Sequence, residues 1–193
     1  KSLYGKEWGL TCRNRITLYK AIFESIVSYC SSVYYPRINN KLKQRILSTQ
    51  RTFLIGSIAG YRTISYPSTH IISGIMPIDI KLELSNKIKA IWNEGTDKKD
   101  RIVKYRIGKE IKQAIFTWNE RYTSSQIGEY VRKLIPTVYD RLNMGKALPI
   151  NYWNTQALSG HGKCAAYLYR FKKTDSSLCR DCNLEMDSMV HAL

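Results

Sequence analysis

Apolar side chains recur at intervals of three and four along most of this chain, and no stretch alternates one-in-two for long enough to make a strand. That pattern limits the fold to helices packed on helices, an all-α chain. Over 15–35 the series Ile16, Tyr19, Phe23, Ile26, Cys30 and Val33 marks one helical face, with Cys30 expected in the core and Pro36 ending the helix. A second helix starts near Asn40. Leu42, Ile46, Leu47, Phe53 and Leu54 take its inner side, leaving Lys41, Lys43, Arg45 and Arg51 for solvent or phosphate.

Over 56–66 the pattern breaks, with a turn expected at Gly60 before Tyr61 and Arg62. A short helix over 68–75 is closed by Gly74, and Pro77 suits the first turn of the next, which carries Ile78, Ile80, Leu82, Leu84, Ile88, Ile91 and Trp92. The alternating Lys/Arg and Asp/Glu of 97–122 predict a long helix with a solvent-exposed flank. Ser124 and Ser125 are expected to cap a helix through Tyr130, Val131 and Leu134 to Pro136, with a short piece over 138–142. Beyond Asn143 glycine and proline are frequent and periodicity is poor, apart from a last short helix over 164–171. There is no internal repeat and no low-complexity tract.

The net charge of +16 is unevenly spread: 11 Lys and Arg against 2 Asp and Glu over 1–64, balance over 65–96, 12 against 6 over 97–146, and 5 against 4 over 147–193. Positive charge gathered in two folded blocks points to a polyanionic partner, nucleic acid being the commonest. A basic surface that serves only solubility is the plainer alternative. No run of about 18 apolar residues exists, so a membrane span is excluded, and residues 1–8 lack the pattern of a signal peptide. Five cysteines, three of them scattered among apolar neighbours, argue against a disulfide framework and for a reducing compartment.

Cys179, Cys182 and His191 stand in the spacing C-x2-C-x8-H, two residues before the last residue, Leu193. Two thiolates on one tight turn can approach a single Zn2+ ion, and the histidine adds a third of the four tetrahedral ligands a structural site uses. With Lys1 at the other end, the chain is expected to be an excerpt from a longer polypeptide. Arg180 inside the turn, and Lys172 and Lys173 before it, are placed to contact phosphate. His161, between Gly160 and Gly162, suits a general base, a ligand, a nucleic-acid contact or a hydrogen-bonded turn residue. His70 lies in an apolar helix and is expected to pack there. Tyr34, Tyr35, Arg37, Tyr61, Arg62 and Tyr66 interleave aromatic and basic groups that can stack on bases, or serve as half-buried helix contacts. No glycine-rich phosphate loop, G-x-S-x-G, H-E-x-x-H or adjacent Asp-Asp of a two-metal polymerase centre is present.

With these landmarks in order, LYKAIFESIVSYCSSVYYP (18–36), LSTQRTFLIGSIAGYRTISYPSTHIISGIMPIDIKLE (47–83), NTQALSGHGKCAAYLYRF (154–171) and CRDCNLEMDSMVH (179–191) closely resemble the C-terminal part of the Pol polyprotein of non-LTR retrotransposons. The nearest likeness is to the type-1 elements that insert into ribosomal RNA genes. It spans nearly the whole chain and is weakest over 95–150. The resemblance implies a parent RNA-directed DNA polymerase, a reverse transcriptase with an associated endonuclease, which copies element RNA onto nicked target DNA. It implies that residues 1–94 form a thumb-like helical region that grips template and primer. The family's zinc motif continues from the histidine with x4-C, which would place a fourth ligand just past Leu193. The catalytic aspartates, with their Mg2+, would lie before Lys1.

The resulting expectation is a thumb-like bundle over 1–94, a helical connector over 95–150, and a nucleic-acid-binding region over 151–193 with a zinc-knuckle-like end. Lys41, Lys43, Arg45, Arg51, Arg62, His161, Lys172, Lys173 and Arg180 would touch nucleic acid, and Cys179, Cys182 and His191 would hold Zn2+. No catalytic residue is expected within the chain. The implied partners are the RNA template, the target DNA and the rest of the polyprotein, in the nucleus at the site of integration. Two further readings stay open: a domesticated, non-enzymatic nucleic-acid-binding protein, and a zinc-stabilised protein-interaction module.

Overall fold

The computed structural model describes residues 9–94, 100–162, 164–188 and 191. It is all-α, and among the described residues no strand forms. The first helical rod is assembled from α1 (Cys12–Tyr19), a π-turn (Lys20–Glu24) and α2 (Ser25–Ser28), with Thr11 as its N-cap. Cys30, in the left-handed region at φ 51°, breaks it before α3 (Ser31–Tyr34) and a 3-10 turn holding Pro36.

The π-turn changes which side chains reach the core. It inserts an extra residue into the helical repeat, and with the break at Cys30 the inward line after Phe23 runs through half-buried Val27 and buried Ser31 and Tyr35 instead of Ile26, Cys30 and Val33. Ile26 and Val33 stand in solvent at 70% and 66% exposure. Cys30 is exposed as well, which corrects its expected place in the core.

Asn39 caps α4 (Asn40–Ser57) through its side chain and the Leu42 N–H. Leu54 and Ile55 are buried on it, Ile46 and Leu47 are half-buried, and Leu42 and Phe53, expected inside, lie about half exposed. The fully buried Gln50 ties three elements together. Its Nε2 donates to the Tyr19 hydroxyl (2.9 Å) and the Met76 carbonyl (3.0 Å), while its Oε1 accepts from the Ile78 N–H (2.9 Å). A buried amide costs little only when satisfied in this way.

Ser65 caps α5 (Tyr66–Ser73), and Gly74 closes it at φ +68°. Pro77 precedes α6 (Ile78–Asn93), as its sequence position suggests. Asp100 caps α7 (Arg101–Thr123); positions 97–99 of the expected long helix lie outside the described residues. Asp79 is buried at the start of α6 and takes both its contacts from Arg121 Nη1 on α7 (3.0 and 2.8 Å).

Ser124 ends α7 by bonding back to the Glu120 carbonyl and does not start the next helix. The local hydroxyl-to-carbonyl bond is the competing use of serine near a helix end. The following α8 (Glu129–Leu134) begins after Gly128. Thr137 and Asp140 form a capping box on α9 (Val138–Met144). Among the described residues two further helices follow, α10 (Tyr152–Ser159), capped by Asn151 and closed by Gly160, and α11 (Ala165–Arg170). The first of these lies in the stretch of poor periodicity.

Two apolar cores result. One gathers Tyr19, Phe23, Tyr35, Leu54, Ile75, Ile78 and Leu82 from the first half. The other joins Ile58, Ile64, Ile71 and Ile72 to Trp118, Tyr122, Val131, Ile135 and Val138, and therefore draws on both sides of residue 94. Arg141 holds its far end. Only 5% exposed, its guanidinium donates to the carbonyls of Ile71 (2.9 Å), Ile72 (3.3 Å) and Gly145 (3.3 Å).

Candidate metal centre and nucleic-acid interface

The C-terminal segment folds back on α11. Asp187 accepts the Ala165 N–H on its carboxylate (2.6 Å) and the Ala166 N–H on its carbonyl (3.1 Å), filling the donors at the start of that helix. A short antiparallel pairing then frames the cysteine turn. Leu178 bridges Met186, Cys179 N–H donates to the Glu185 carbonyl (2.8 Å), and Asp187 N–H donates to the Ser177 carbonyl (2.9 Å). Asn183, left-handed at φ 54°, closes the turn with an N–H bond to the Cys179 carbonyl (2.9 Å).

This turn brings the ligand atoms of Cys179, Cys182 and His191 within 4.8 Å of one another. Cys182 Sγ lies 3.4 Å from His191 Nε2, and His191 Nδ1 lies 3.0 Å from the Glu185 carboxylate. Backbone N–H groups of Leu184 and Glu185, joined by Cys179 and His191, draw the Cys182 thiol down to about 7. His191 is raised, chiefly by its hydrogen bond to Cys182.

The donor set fits a structural zinc ion. Bonds of about 2.3 Å to sulfur and about 2.0 Å to nitrogen bring tetrahedral ligands within roughly 4 Å of one another, close to the spacing present. The second ring nitrogen is held by a carboxylate, the usual way to orient a metal-bound imidazole. Cys179 and Cys182 would supply thiolates and His191 its Nε2. Among the described residues no fourth side chain joins them.

The basic residues fall into two groups. Lys41 and Arg45 are exposed on α4. Lys43, on the same helix, sits 5.5 Å from the centre of the Tyr35 ring and 3.6 Å from Glu83, so packing and an ion pair already engage it. Arg51 braces the following loop. Its Nη2 donates to the carbonyls of Arg62 (2.7 Å) and Ile64 (2.6 Å), leaving the Arg62 side chain exposed.

Lys172, Lys173 and Arg180 are exposed near the metal turn. Backbone N–H groups of Lys172 and Lys173 end α11 by bonding the carbonyls of Tyr169 and Leu168. His161 is half-buried with Nδ1 2.6 Å from the Ser159 carbonyl, and burial lowers its pKa. Of the aromatic–basic group, Tyr35 is buried, Tyr34 donates to the Val27 carbonyl and Tyr66 packs on His70. Those three are helix contacts. Tyr61 instead faces His161 and Tyr167, each with ring centres 6.4 Å away.

Polar anchors unnoticed in the sequence bring these segments together. Thr155 Oγ1 donates to the Ile58 carbonyl (2.7 Å) and Gln156 Nε2 to the Ala59 carbonyl (3.2 Å), docking α10 on the loop that carries Tyr61 and Arg62. Ala59 has φ 54°, so its carbonyl belongs to a loop that departs from helical geometry. The polar pair Thr155-Gln156 just after an Asn cap was the available signal.

No known family model matches the chain, and no solved structure matches it significantly. Over 97% of its length it is 27% identical to a retrovirus-related Pol polyprotein from type-1 retrotransposable element R1 4 of Nasonia vitripennis. It is 26% identical, again over 97%, to the R1 Pol polyprotein of Bradysia coprophila, and 24% identical over 90% to a further R1 Pol polyprotein of Nasonia vitripennis. The chain spans 49% of the first relative, 20% of the second and 54% of the third. Along nearly its whole length, this chain resembles the Pol polyproteins of type-1, non-LTR retrotransposable elements.

Proposed function

We propose that this chain is the nucleic-acid-gripping part of a retrotransposon RNA-directed DNA polymerase with an associated endonuclease, acting in target-primed reverse transcription. The observation that carries the reading is the similarity to Pol polyproteins over 97% of the chain. The net charge of +16, with Lys41, Arg45, Arg62, Lys172, Lys173 and Arg180 exposed, supports it. In this reading residues 1–94 act as the thumb-like region, 95–150 connect, and 151–193 form a zinc-held finger on RNA template or target DNA. Polymerization itself, with its Mg2+, belongs to aspartates elsewhere in the polyprotein, and the site of action is the nucleus.

Lys and Arg at these positions act by replacing the counterions condensed on phosphate, which makes binding steeply salt-dependent. The test is fluorescence anisotropy of a labelled primer–template and of a structured RNA across a salt series. Binding whose logarithm falls linearly with log salt, at roughly 0.7 to 0.9 per phosphate neutralised, is expected. A flat salt response, or no binding, overturns the reading.

A further inference from the structure

A cleft of about 350 Å³ opens where the start of α5, the Gly128 turn before α8 and the Gly160–His161 turn meet. Its lining includes the rings of Tyr130, His161 and Tyr167, the guanidinium of Arg170, and Ser65 and Ser68, whose hydroxyls bond to each other at 2.7 Å. The volume falls within the roughly 300–1,000 Å³ of small-molecule sites. Rings and a guanidinium are the groups that recognise a base and a phosphate.

We infer that this cleft seats an unpaired nucleotide of a single strand, its base among Tyr130, His161 and Tyr167 and its phosphate on Arg170. Resting on the nucleic-acid reading above, the inference names the form of nucleic acid recognised and where.

Three observations support it. Tyr167 belongs to a run of rings: His161 lies 5.3 Å from it in an edge-on pose, and Phe171, 47% exposed, lies 4.9 Å away. Basic residues interleave with that run, Arg62 after Tyr61 and Arg170, Lys172 and Lys173 around Phe171, the arrangement that tracks a single-stranded backbone while bases stack. The His161 Nδ1 proton is committed to the Ser159 carbonyl, which leaves Nε2 as an acceptor for a base N–H, and burial keeps the ring neutral. Glu129, also on the wall, is paired with Lys133 at 2.9 Å, which offsets its charge toward an incoming phosphate.

The experiment compares binding of the whole chain to a labelled oligothymidylate and to an abasic strand of equal length and charge. Preference for the strand with bases is expected, with Tyr167→Leu and Phe171→Ala each weakening it roughly 5- to 150-fold, the range for removal of one stacking ring. Tyr105→Ala, on an aromatic 75% exposed on α7, should leave it unchanged. The abasic strand should bind both variants as it binds the parent chain. Phe171→Ala removes an exposed ring that packs on Tyr167 just outside the cleft, so it keeps the stacking run open to test if Tyr167→Leu misfolds. Equal affinity for the two strands overturns the cleft while leaving general phosphate binding standing. Failure to bind either strand overturns the cleft, and the nucleic-acid reading falls with it when the primer–template and the structured RNA also go unbound.

Discussion

Burial leaves His70 neutral and should make the fold acid-labile in a defined window. The side chain is fully buried, its Nδ1 lies 2.8 Å from the Ile75 carbonyl, and its Nε2 has no hydrogen-bond partner. Burial pushes its pKa from 6.5 down to about 4; the Ile75 carbonyl and Asp79 oppose that shift and Arg121 adds to it. Because the folded value lies below the unfolded one, the unfolded chain takes up the proton first as pH falls. The stabilisation is complete above pH 6.5 and is lost as pH drops from there toward 4. At about 1.36 kcal/mol per pH unit the loss amounts to roughly 3 kcal/mol, a large part of the roughly 5–15 kcal/mol that holds a domain folded. Urea unfolding across that window would measure it. In His70→Asn, whose amide can still donate to the Ile75 carbonyl, the extra loss should vanish even if the variant is less stable throughout. Glu94 and Glu129, held below the usual carboxylate range by hydrogen bonds from Arg106 and Lys133, titrate alike in both proteins. The difference between parent and variant therefore isolates His70. Equal acid losses in the two proteins would refute the reasoning.

Three further outcomes can be checked. Arg141→Leu removes the charged donors from two buried carbonyls and from the part-buried one of Gly145 but also relieves a buried cation, so a net loss of about 2–4 kcal/mol is expected by urea unfolding; a loss below about 1 kcal/mol would show that the guanidinium does not brace α9 against α5. Glu185→Gln weakens the hold on His191 Nδ1 and should lower zinc affinity roughly 10- to 100-fold by competition with a chelating dye, whereas unchanged affinity would remove Glu185 from the site. Replacing Lys172 and Lys173 by Gln should reduce the salt slope for single-stranded nucleic acid by about 0.7 for each phosphate no longer neutralised, with the slope unaltered if neither lysine meets phosphate.

What the sequence revealed and what it hid divide along physical lines. Features fixed within one turn of the chain were legible: the start of α4 near Asn40, the Gly74 close of α5, the Pro77 start of α6, and a cysteine pair whose x2 spacing leaves little freedom in placing two sulfurs. The inner face of α4 was legible only in part. Ile46, Leu47 and Leu54 turn inward as expected, but Phe53 is only half covered, against Phe23 at 5.4 Å between ring centres. Cys30 failed for a different reason. A period of 3.6 carries the register forward only while the helix stays α; the π-turn at Lys20–Glu24 shifts it, and the rod then breaks at Cys30 itself, in the left-handed region, with neither marked in composition. The cleft was hidden more deeply. Ser65, Tyr130, His161 and Tyr167 are separated by up to about a hundred residues and meet because Thr155 and Gln156 hydrogen-bond to the loop at 58–59. A pattern search sees two unremarkable polar residues there. They dock α10 because the loop's carbonyls, once buried, must find donors, and α10 carries the donors that reach them. The residues that assemble such a site can therefore differ from those that would touch its ligand. Thr155→Val, which keeps shape but removes the donor, should loosen the cleft and weaken strand binding without altering any group that lines it. If Thr155→Val instead lowers stability but leaves binding of the oligothymidylate untouched, the dock is a matter of folding alone.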